Sequence, residues 1–352
     1  MPGITIIGSG RYNPGKPVLN EALERVMDTD DEWIHQRIGI KQRYFAGEGV
    51  GASDLAVEAA KRALESAELE PSDVDYIIFA TMTPDYLFPG SGGLLGAKLG
   101  IPGVPALDIR QQCAAFPFGV QVADGLIATG AAETVLFVGA ECHAGFMPWS
   151  DWDLVTGDKE GKSPPDEYDR ATRHRGLAII FGDGAGALVL RRTKVEGHGL
   201  LGCETHTDGN YAKQIYIEGG GFRRRPYWTP EMFEKELYIP SMQGRNLFKN
   251  AVTKLPQVVR SLTAKHGFSL DDIDWFIAHQ ANDRINGAVR QALKVPEEKV
   301  PSNIARYGNT SAATIPILMD ELLRDGTVKP GDLICFLALG AGLNWGAALM
   351  RL

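Results

Sequence analysis

Between Ser53 and Leu69 the apolar residues recur at helical spacing: Leu55, Ala59, Ala63 and Ala67 fall on one face, Ser53 stands at the capping position, and Pro71 stops the run. The period then changes. Asp75-Tyr76-Ile77-Ile78-Phe79-Ala80-Thr81 is a continuous apolar run of strand length, as expected of a strand covered on both faces, and Val135 to Gly139 and Leu333 to Leu339 read the same way. A small-residue helix is predicted from Ala114 to Gly130. Helix and strand signals alternate through most of the chain, which predicts α/β architecture with buried sheets.

The pattern also repeats. Ser72-Asp73-Val74-Asp75-Tyr76-Ile77-Ile78-Phe79-Ala80 resembles Asp271-Asp272-Ile273-Asp274-Trp275-Phe276-Ile277-Ala278-His279 at an offset of 199 (274 − 75). Cys113-Ala114-Ala115-Phe116-Pro117 then pairs with Ser311-Ala312-Ala313-Thr314-Ile315-Pro316, and the strand at Val135 with that at Leu333, an offset of 198 (333 − 135). A register held across strand, turn and helix predicts duplicated halves, 1–195 and 196–352, related by a pseudo-twofold axis. Cys113 and Ser311 are expected to begin equivalent helices, which lets residues of the two halves meet at the junction. Two stretches break the pattern and read as long surface excursions: 144–175, rich in Asp, Pro and Trp, and 208–244, which carries Arg223-Arg224-Arg225.

A chain of 352 residues with 44% hydrophobic content builds a large core, and a formal net charge of −8 makes nucleic acid a poor partner. Four widely spaced cysteines (Cys113, Cys142, Cys203, Cys335), with no C-x-x-C pair, point to a reducing cytoplasm. The first ten residues read as a short strand running into glycines and not as a signal peptide, and no apolar run reaches the roughly 18 residues of a membrane span. Cys142-His143 and His206-Thr207-Asp208 supply no convincing ligand spacing, so no metal is expected. Gly182-Asp183-Gly184-Ala185-Gly186 runs into a strand and not a helix, which fits a close backbone turn better than a nucleotide loop.

Three residues carry candidate chemistry. Cys113 stands where a strand gives way to a helix, a setting whose dipole favours thiolate. His279 ends an apolar strand, at the edge where open α/β sheets place ligands. Asn309, in Gly308-Asn309-Thr310-Ser311, reads as a turn residue when taken alone. A thiol nucleophile with an imidazole and an amide suits acyl-thioester chemistry.

Ordered motifs along nearly the whole chain extend this reading: Asp28-Thr29-Asp30-Asp31-Glu32-Trp33-Ile34, Arg37-Ile38-Gly39-Ile40, Phe181-Gly182-Asp183-Gly184-Ala185-Gly186-Ala187, His279-Gln280-Ala281-Asn282, Gly308-Asn309-Thr310-Ser311-Ala312-Ala313 and Gly342-Leu343-Asn344-Trp345-Gly346. Together they resemble β-ketoacyl-ACP synthase III, of the thiolase superfamily. The resemblance implies a five-layered αβαβα thiolase-like fold, a homodimer, and a catalytic triad of Cys113, His279 and Asn309. It implies an oxyanion hole from the N–H groups of Cys113 and Ala341. CoA and carrier protein are expected at Trp33, Arg37, Arg175, Arg245, Lys249, Asn282 and Arg284, and the acyl pocket at Phe88, Gln112 and Phe116. Phe88 matches the position where the family reaches across the dimer.

The activity implied is acylation of Cys113 by acyl-CoA, then decarboxylative condensation with malonyl-ACP to a β-ketoacyl-ACP. CoA thioester is a substrate, and no cofactor is implied. The chain departs from the family around the nucleophile: Gln111-Gln112 precede it where small residues are usual, Ala114-Ala115-Phe116 follow in place of Ala-Gly-Phe, and Asn344 stands where Thr is more usual. A primer other than acetyl, a longer acyl chain for example, is therefore expected. Competing readings are an acyltransferase that moves the Cys113-bound group to an alcohol or amine, and a non-catalytic subunit that binds carrier protein. A glutamate base, as in related condensing enzymes, has one candidate, Glu141.

Overall fold

The computed structural model describes residues 3–352; Met1 and Pro2, which open the predicted N-terminal strand, lie outside the described residues. Two sheets organise the chain. In the first, the order is Ile4–Tyr12, Gly184–Arg192, Thr134–Glu141, Tyr76–Ala80, Ala106–Ile109. The second runs Gly199–Thr207, Asn344–Arg351, Leu333–Gly340, Trp275–Ala278. Over their first four strands the two share one pattern of sense: antiparallel, antiparallel, parallel. The second sheet is a copy of the first without its outermost strand.

Helices Ala115–Ala128 and Thr314–Arg324 lie between the sheets and are buried along most of their length. Each carries a proline, Pro117 and Pro316, in its first turn, where a missing N–H costs nothing. Ala52–Ser66 covers the outside of the first sheet, while Gly244–Lys265 and Asp283–Leu293 cover the outside of the second. The result is the five-layered αβαβα arrangement. Its central layer is closed by Phe116, whose ring centroid lies 5.4 Å from Phe137 of the first sheet and 4.7 Å from Phe336 of the second.

Several sequence expectations shift on contact with the structure. The helix expected from Ser53 begins at Ala52, with Gly51 as its cap, and the Ser53 hydroxyl donates to Asp85 at 2.7 Å. It ends at Ser66, before Pro71, where Glu68 adopts a left-handed φ of 56°. The duplication holds one offset, 199, and not 198 in places: Tyr76 pairs with Val135 as Trp275 pairs with Ile334 (275 − 76 and 334 − 135). Consequently Cys113 corresponds to Ala312, and it is Gln112 that corresponds to Ser311. These two are left-handed, at φ 50° and 46°, and each opens a single tight turn, Gln112–Ala114 and Ser311–Ala313, before its helix.

The stretch 144–175 is a surface excursion only in part. Phe146, Met147, Trp149, Leu154 and Val155 are buried with Leu23, Val26, Met27 and Ile34 in an apolar cluster of their own, while 156–162 and 164–166 are exposed. The stretch 208–244 is likewise mixed: Phe222 and Phe233 are exposed, but Met232 and Ile239 are buried. The Gly182–Gly186 segment is a close-packed backbone, since a Cβ on Gly186 would stand 2.7 Å from the Ile317 nitrogen of the central helix.

Candidate active site

The pseudo-symmetric packing brings the end of each central strand against the turn of the other half. Leu333–Gly340 ends on the turn that carries Cys113, where a Cβ on Gly340 would lie 2.9 Å from the Cys113 nitrogen and 2.7 Å from that of Ala114. Only glycine fits there. Asn344 fastens the turn that follows, donating from Nδ2 to Ala341 O at 2.5 Å and accepting from the Thr207 hydroxyl at 2.7 Å. The amide thus gives the unusual Asn344 a structural task, holding Ala341 beside the nucleophile.

Cys113 faces a cavity of about 640 Å³, and its Sγ lies 3.5 Å from Ser311 Oγ. Burial pushes the thiol up to about 12; the Ser311 hydroxyl works against this, and the Glu141 charge adds to it. Desolvation thus works against the thiolate that the helix start is expected to favour. Glu141 is also settled. Its carboxylate accepts from the Thr81 hydroxyl, the Met82 and Thr83 nitrogens, the Thr83 hydroxyl and the Ala312 nitrogen, so its lone pairs are spent on structure.

His279 follows Trp275–Ala278, its backbone N–H donating to Leu337 O at 2.9 Å. Gln280 locks the next position: its Nε2 donates to Ala278 O, and its Oε1 accepts from Ser302 and from the Asn303 nitrogen. The imidazole Nδ1 meets Thr314 Oγ1 at 2.6 Å, while Nε2 is buried with no partner among the described residues. Burial holds this histidine far below its ordinary value, at about 3, so the ring is neutral. Asn309 is held at both backbone groups by Ile180 O and the Gly182 nitrogen, and its Oδ1 accepts from the Ser311 nitrogen at 2.8 Å. With the oxygen spent, Nδ2 is its remaining donor. Cys113, His279, Asn309 and Ala341 all line the one cavity.

The predicted cations divide. Arg37, Arg245, Arg284 and Asn282 line the cavity, but the Asn282 side chain also caps its helix by accepting from the Arg284 nitrogen at 2.9 Å. Lys249 is exposed, one turn beyond Arg245, and does not line the cavity. Trp33 carries a guanidinium at 4.1 Å from Arg37 and another at 4.7 Å from Arg175, which is anchored to Asp28 at 3.0 Å. The three residues expected around a nucleotide thus form one stacked group. Arg224 pairs with Glu218, and Arg223 to Arg225 are exposed away from the cavity.

None of the three residues expected around the acyl chain lines the cavity of its own chain. Phe116 is core between the sheets, packed on Phe137 and Phe336. Phe88 is 78% exposed beside exposed Tyr86 and Leu87, outside the cavity. Gln112 is partly buried next to Cys113, with Oε1 unpaired, and does not line the cavity. The sequence motifs do not single out Ser311 and Thr314 as partners of the thiol and imidazole, although the two hydroxyls stand one helical turn apart just after Asn309.

Comparison with known proteins identifies the family. Residues 107–158 and 166–209 match the family 3-oxoacyl-[acyl-carrier-protein (ACP)] synthase III, and 263–352 match its C-terminal family. Beta-ketoacyl-[acyl-carrier-protein] synthase III of Rhizorhabdus wittichii is 39% identical over 351 residues, covering 100% of both chains. The protein of the same name from Caldanaerobacter subterraneus is 39% identical over 98% of this chain and 97% of its own length. Among solved structures, 3-oxoacyl-[acyl-carrier-protein] synthase III from Aquifex aeolicus superposes with a TM-score of 0.84 at 37% identity, covering 99% of this chain and 100% of its own. A priming beta-ketosynthase from a polyketide biosynthetic pathway gives 0.83 at 27% identity, covering 99% and 96%. The chain belongs to the β-ketoacyl-ACP synthase III family, and is a condensing acyltransferase on a thiolase-like fold.

Proposed function

We propose that the chain joins an acyl-CoA primer to malonyl-ACP in two stages, as in the initiation of fatty acid synthesis. The Cys113 thiol attacks the primer thioester, its backbone N–H and that of Ala341 receive the oxyanion, and CoA leaves with the thiol proton. The Ser311 hydroxyl and the start of the central helix stabilise charge as it develops on a sulfur that rests as a thiol. Malonyl-ACP then places its thioester oxygen against His279 Nε2 and Asn309 Nδ2. Loss of CO2 leaves an enolate, whose carbon attacks the acyl-Cys113 carbonyl. The β-ketoacyl-ACP departs, and the sulfur takes up a proton.

One observation carries this reading: His279 and Asn309 line the cavity that holds Cys113, with His279 Nε2 unpartnered among the described residues and Asn309 Oδ1 engaged by the Ser311 nitrogen, which leaves Nδ2 to donate. For donation the imidazole must carry its hydrogen on Nε2, which requires the Thr314 hydroxyl to give its one hydrogen to Nδ1 at 2.6 Å and not to Ser311 O, the other acceptor within reach at 3.0 Å. Transfer of the acyl group to an alcohol or amine gives these donors no oxygen to stabilise. The Trp33, Arg37 and Arg175 group takes the CoA nucleotide, and Arg245, Arg284 and Lys249 receive the phosphopantetheine arm and an acidic carrier protein, a locally basic mouth on a chain of net charge −8. We place the boundary of the halves at 195/196, dimer contact at the exposed Tyr86-Leu87-Phe88 loop, and the enzyme in the cytoplasm with no cofactor beyond the CoA thioester. Among the described residues no helix is long and apolar enough to cross a membrane.

Intact-protein mass spectrometry after mixing with acyl-CoA tests the first stage: an acyl adduct that disappears in Cys113→Ala is expected. Release of CO2 from malonyl-ACP, lost in His279→Ala with the adduct retained, tests the second. Undiminished CO2 release from His279→Ala would remove its assigned role.

A further inference from the structure

Ser311 is fully buried and holds a left-handed φ of 46°, a conformation that costs a residue with a side chain about 1–2 kcal/mol. Its surroundings impose it. The next residue, Ala312, donates its N–H to the buried Glu141 carboxylate at 3.3 Å, and a Cβ on Gly139 of the same strand would stand 2.3 Å from Ala312 O. Each polar group of Ser311 then meets a different part of the site. Its hydroxyl lies 3.5 Å from Cys113 Sγ, and its N–H donates to Asn309 Oδ1 at 2.8 Å, the bond that leaves Nδ2 of that amide to donate. Its carbonyl accepts the backbone N–H of Thr314, whose Oγ1 meets His279 Nδ1 at 2.6 Å.

The torsion φ lies between the N–H and the carbonyl of a residue, so this one angle relates the placement of Asn309 to that of Thr314 and, through Thr314, to that of the imidazole. The counterpart turn in the other half lacks both partners. Gln112 shares the conformation at φ 50° and accepts the Ala115 N–H in the same way, but Arg110 stands where Asn309 would be and Ala115 where Thr314 would be. We infer that Ser311 is a positioning residue for the second stage: its left-handed backbone aligns the His279 and Asn309 donors on one oxygen, while its hydroxyl acts in acylation alone. This inference rests on the proposed role of those two side chains as donors to the enolate.

Kinetics of the full chain, resolved by stage, test this. Acylation is read as the mass-resolved adduct with acetyl-, hexanoyl- and octanoyl-CoA, and the second stage as CO2 release when the acylated enzyme meets malonyl-ACP in a single turnover. Ser311→Gly keeps the left-handed angle and lacks the hydroxyl, so its loss should fall on acylation, about tenfold, with the second stage within about threefold of wild type. Ser311→Thr keeps the hydroxyl, but a β-branched residue disfavours the angle, so its loss should fall on the second stage, about hundredfold. Should the threonine variant misfold, Thr314→Val, which removes the hydrogen offered to Nδ1, is expected to slow the second stage by about tenfold or more, and Thr314→Ser to restore it. A glycine variant that loses the second stage as far as the threonine variant does, a threonine variant that keeps it, or a Thr314→Val variant without loss overturns the inference while leaving the condensation reading intact. Undiminished CO2 release from His279→Ala sinks the donor role first, and this inference with it.

Discussion

Asn309→Asp separates a donor from a spacer at this position. The two side chains have the same shape, and aspartate keeps the oxygen that accepts from the Ser311 nitrogen at 2.8 Å. What changes is the other arm: an N–H donor becomes an oxygen that is anionic when ionised, in a residue only 5% exposed. Loss of a hydrogen bond to a charged enolate removes about 1.5–3 kcal/mol. Two like charges about 4 Å apart at an effective dielectric of about 20 add roughly 4 kcal/mol of repulsion. The sum, about 5–7 kcal/mol, corresponds to a loss of roughly 10⁴- to 10⁵-fold in malonyl decarboxylation, whereas Asn309→Ala forfeits only the donor, roughly 10²-fold. The order therefore inverts ordinary conservatism: the isosteric variant is the worse catalyst. The pH profile inverts too, because protonation of the introduced carboxyl restores a donor, so activity of this variant should rise as pH falls. CO2 release from malonyl-ACP at pH 5.5 to 8, with Cys113 acylation followed separately, provides the assay. An aspartate variant within tenfold of wild type, or better than the alanine variant at pH 8, would refute a donor role for Asn309.

Two further predictions concern titration. Because burial holds His279 at about 3, well below its unfolded value near 6.5, the folded state excludes a proton that the unfolded chain binds; this stabilisation is complete above about pH 6.5 and is lost as pH falls towards 3. Urea unfolding at pH 7 and pH 5 should show wild type losing about 2 kcal/mol more than His279→Gln, and equal losses would show that the ring is not held neutral. With the Cys113 thiol pushed up to about 12, alkylation of that residue followed by peptide mass spectrometry should keep rising from pH 7 to 10, and Ser311→Ala should slow it at each pH; a plateau near pH 8 would mean a far more acidic thiol.

How much of this was legible in the sequence depends on whether an effect is local or tertiary. Strands such as Tyr76–Ala80 and Leu333–Gly340 announce themselves by unbroken apolar runs, and the repeat by its recurrence. The stretch 144–175 does not, because its aromatics pack without a period: Trp149 and Trp152 close on Phe45 at 5.9 and 5.2 Å, a hundred residues away in the chain. A burial pattern set by distant partners leaves no local signature. The thiol is similar: a helix start is visible in sequence, whereas the desolvation that opposes thiolate depends on the packing around Cys113. Phe116 shows the limit of adjacency, since its neighbours Phe137 and Phe336 come from the two sheets and make it core.

The same distinction explains why unpaired polar atoms are informative here. A buried donor without a partner costs about 1–3 kcal/mol, so a fold keeps few of them. Some stand away from the candidate site: the Nε of Arg43 and the Nε1 of Trp149 lack partners among the described residues, and neither residue lines the cavity that contains Cys113. His279 differs, for it does line that cavity. Its neighbours are satisfied within the fold, Asn282 by capping its helix and Gln280 by bonding Ala278, Ser302 and Asn303. On the proposed mechanism His279 keeps a donor for the thioester to be enolised, beside Asn309, and sequence motifs can name that pair because the chemistry of condensation requires it.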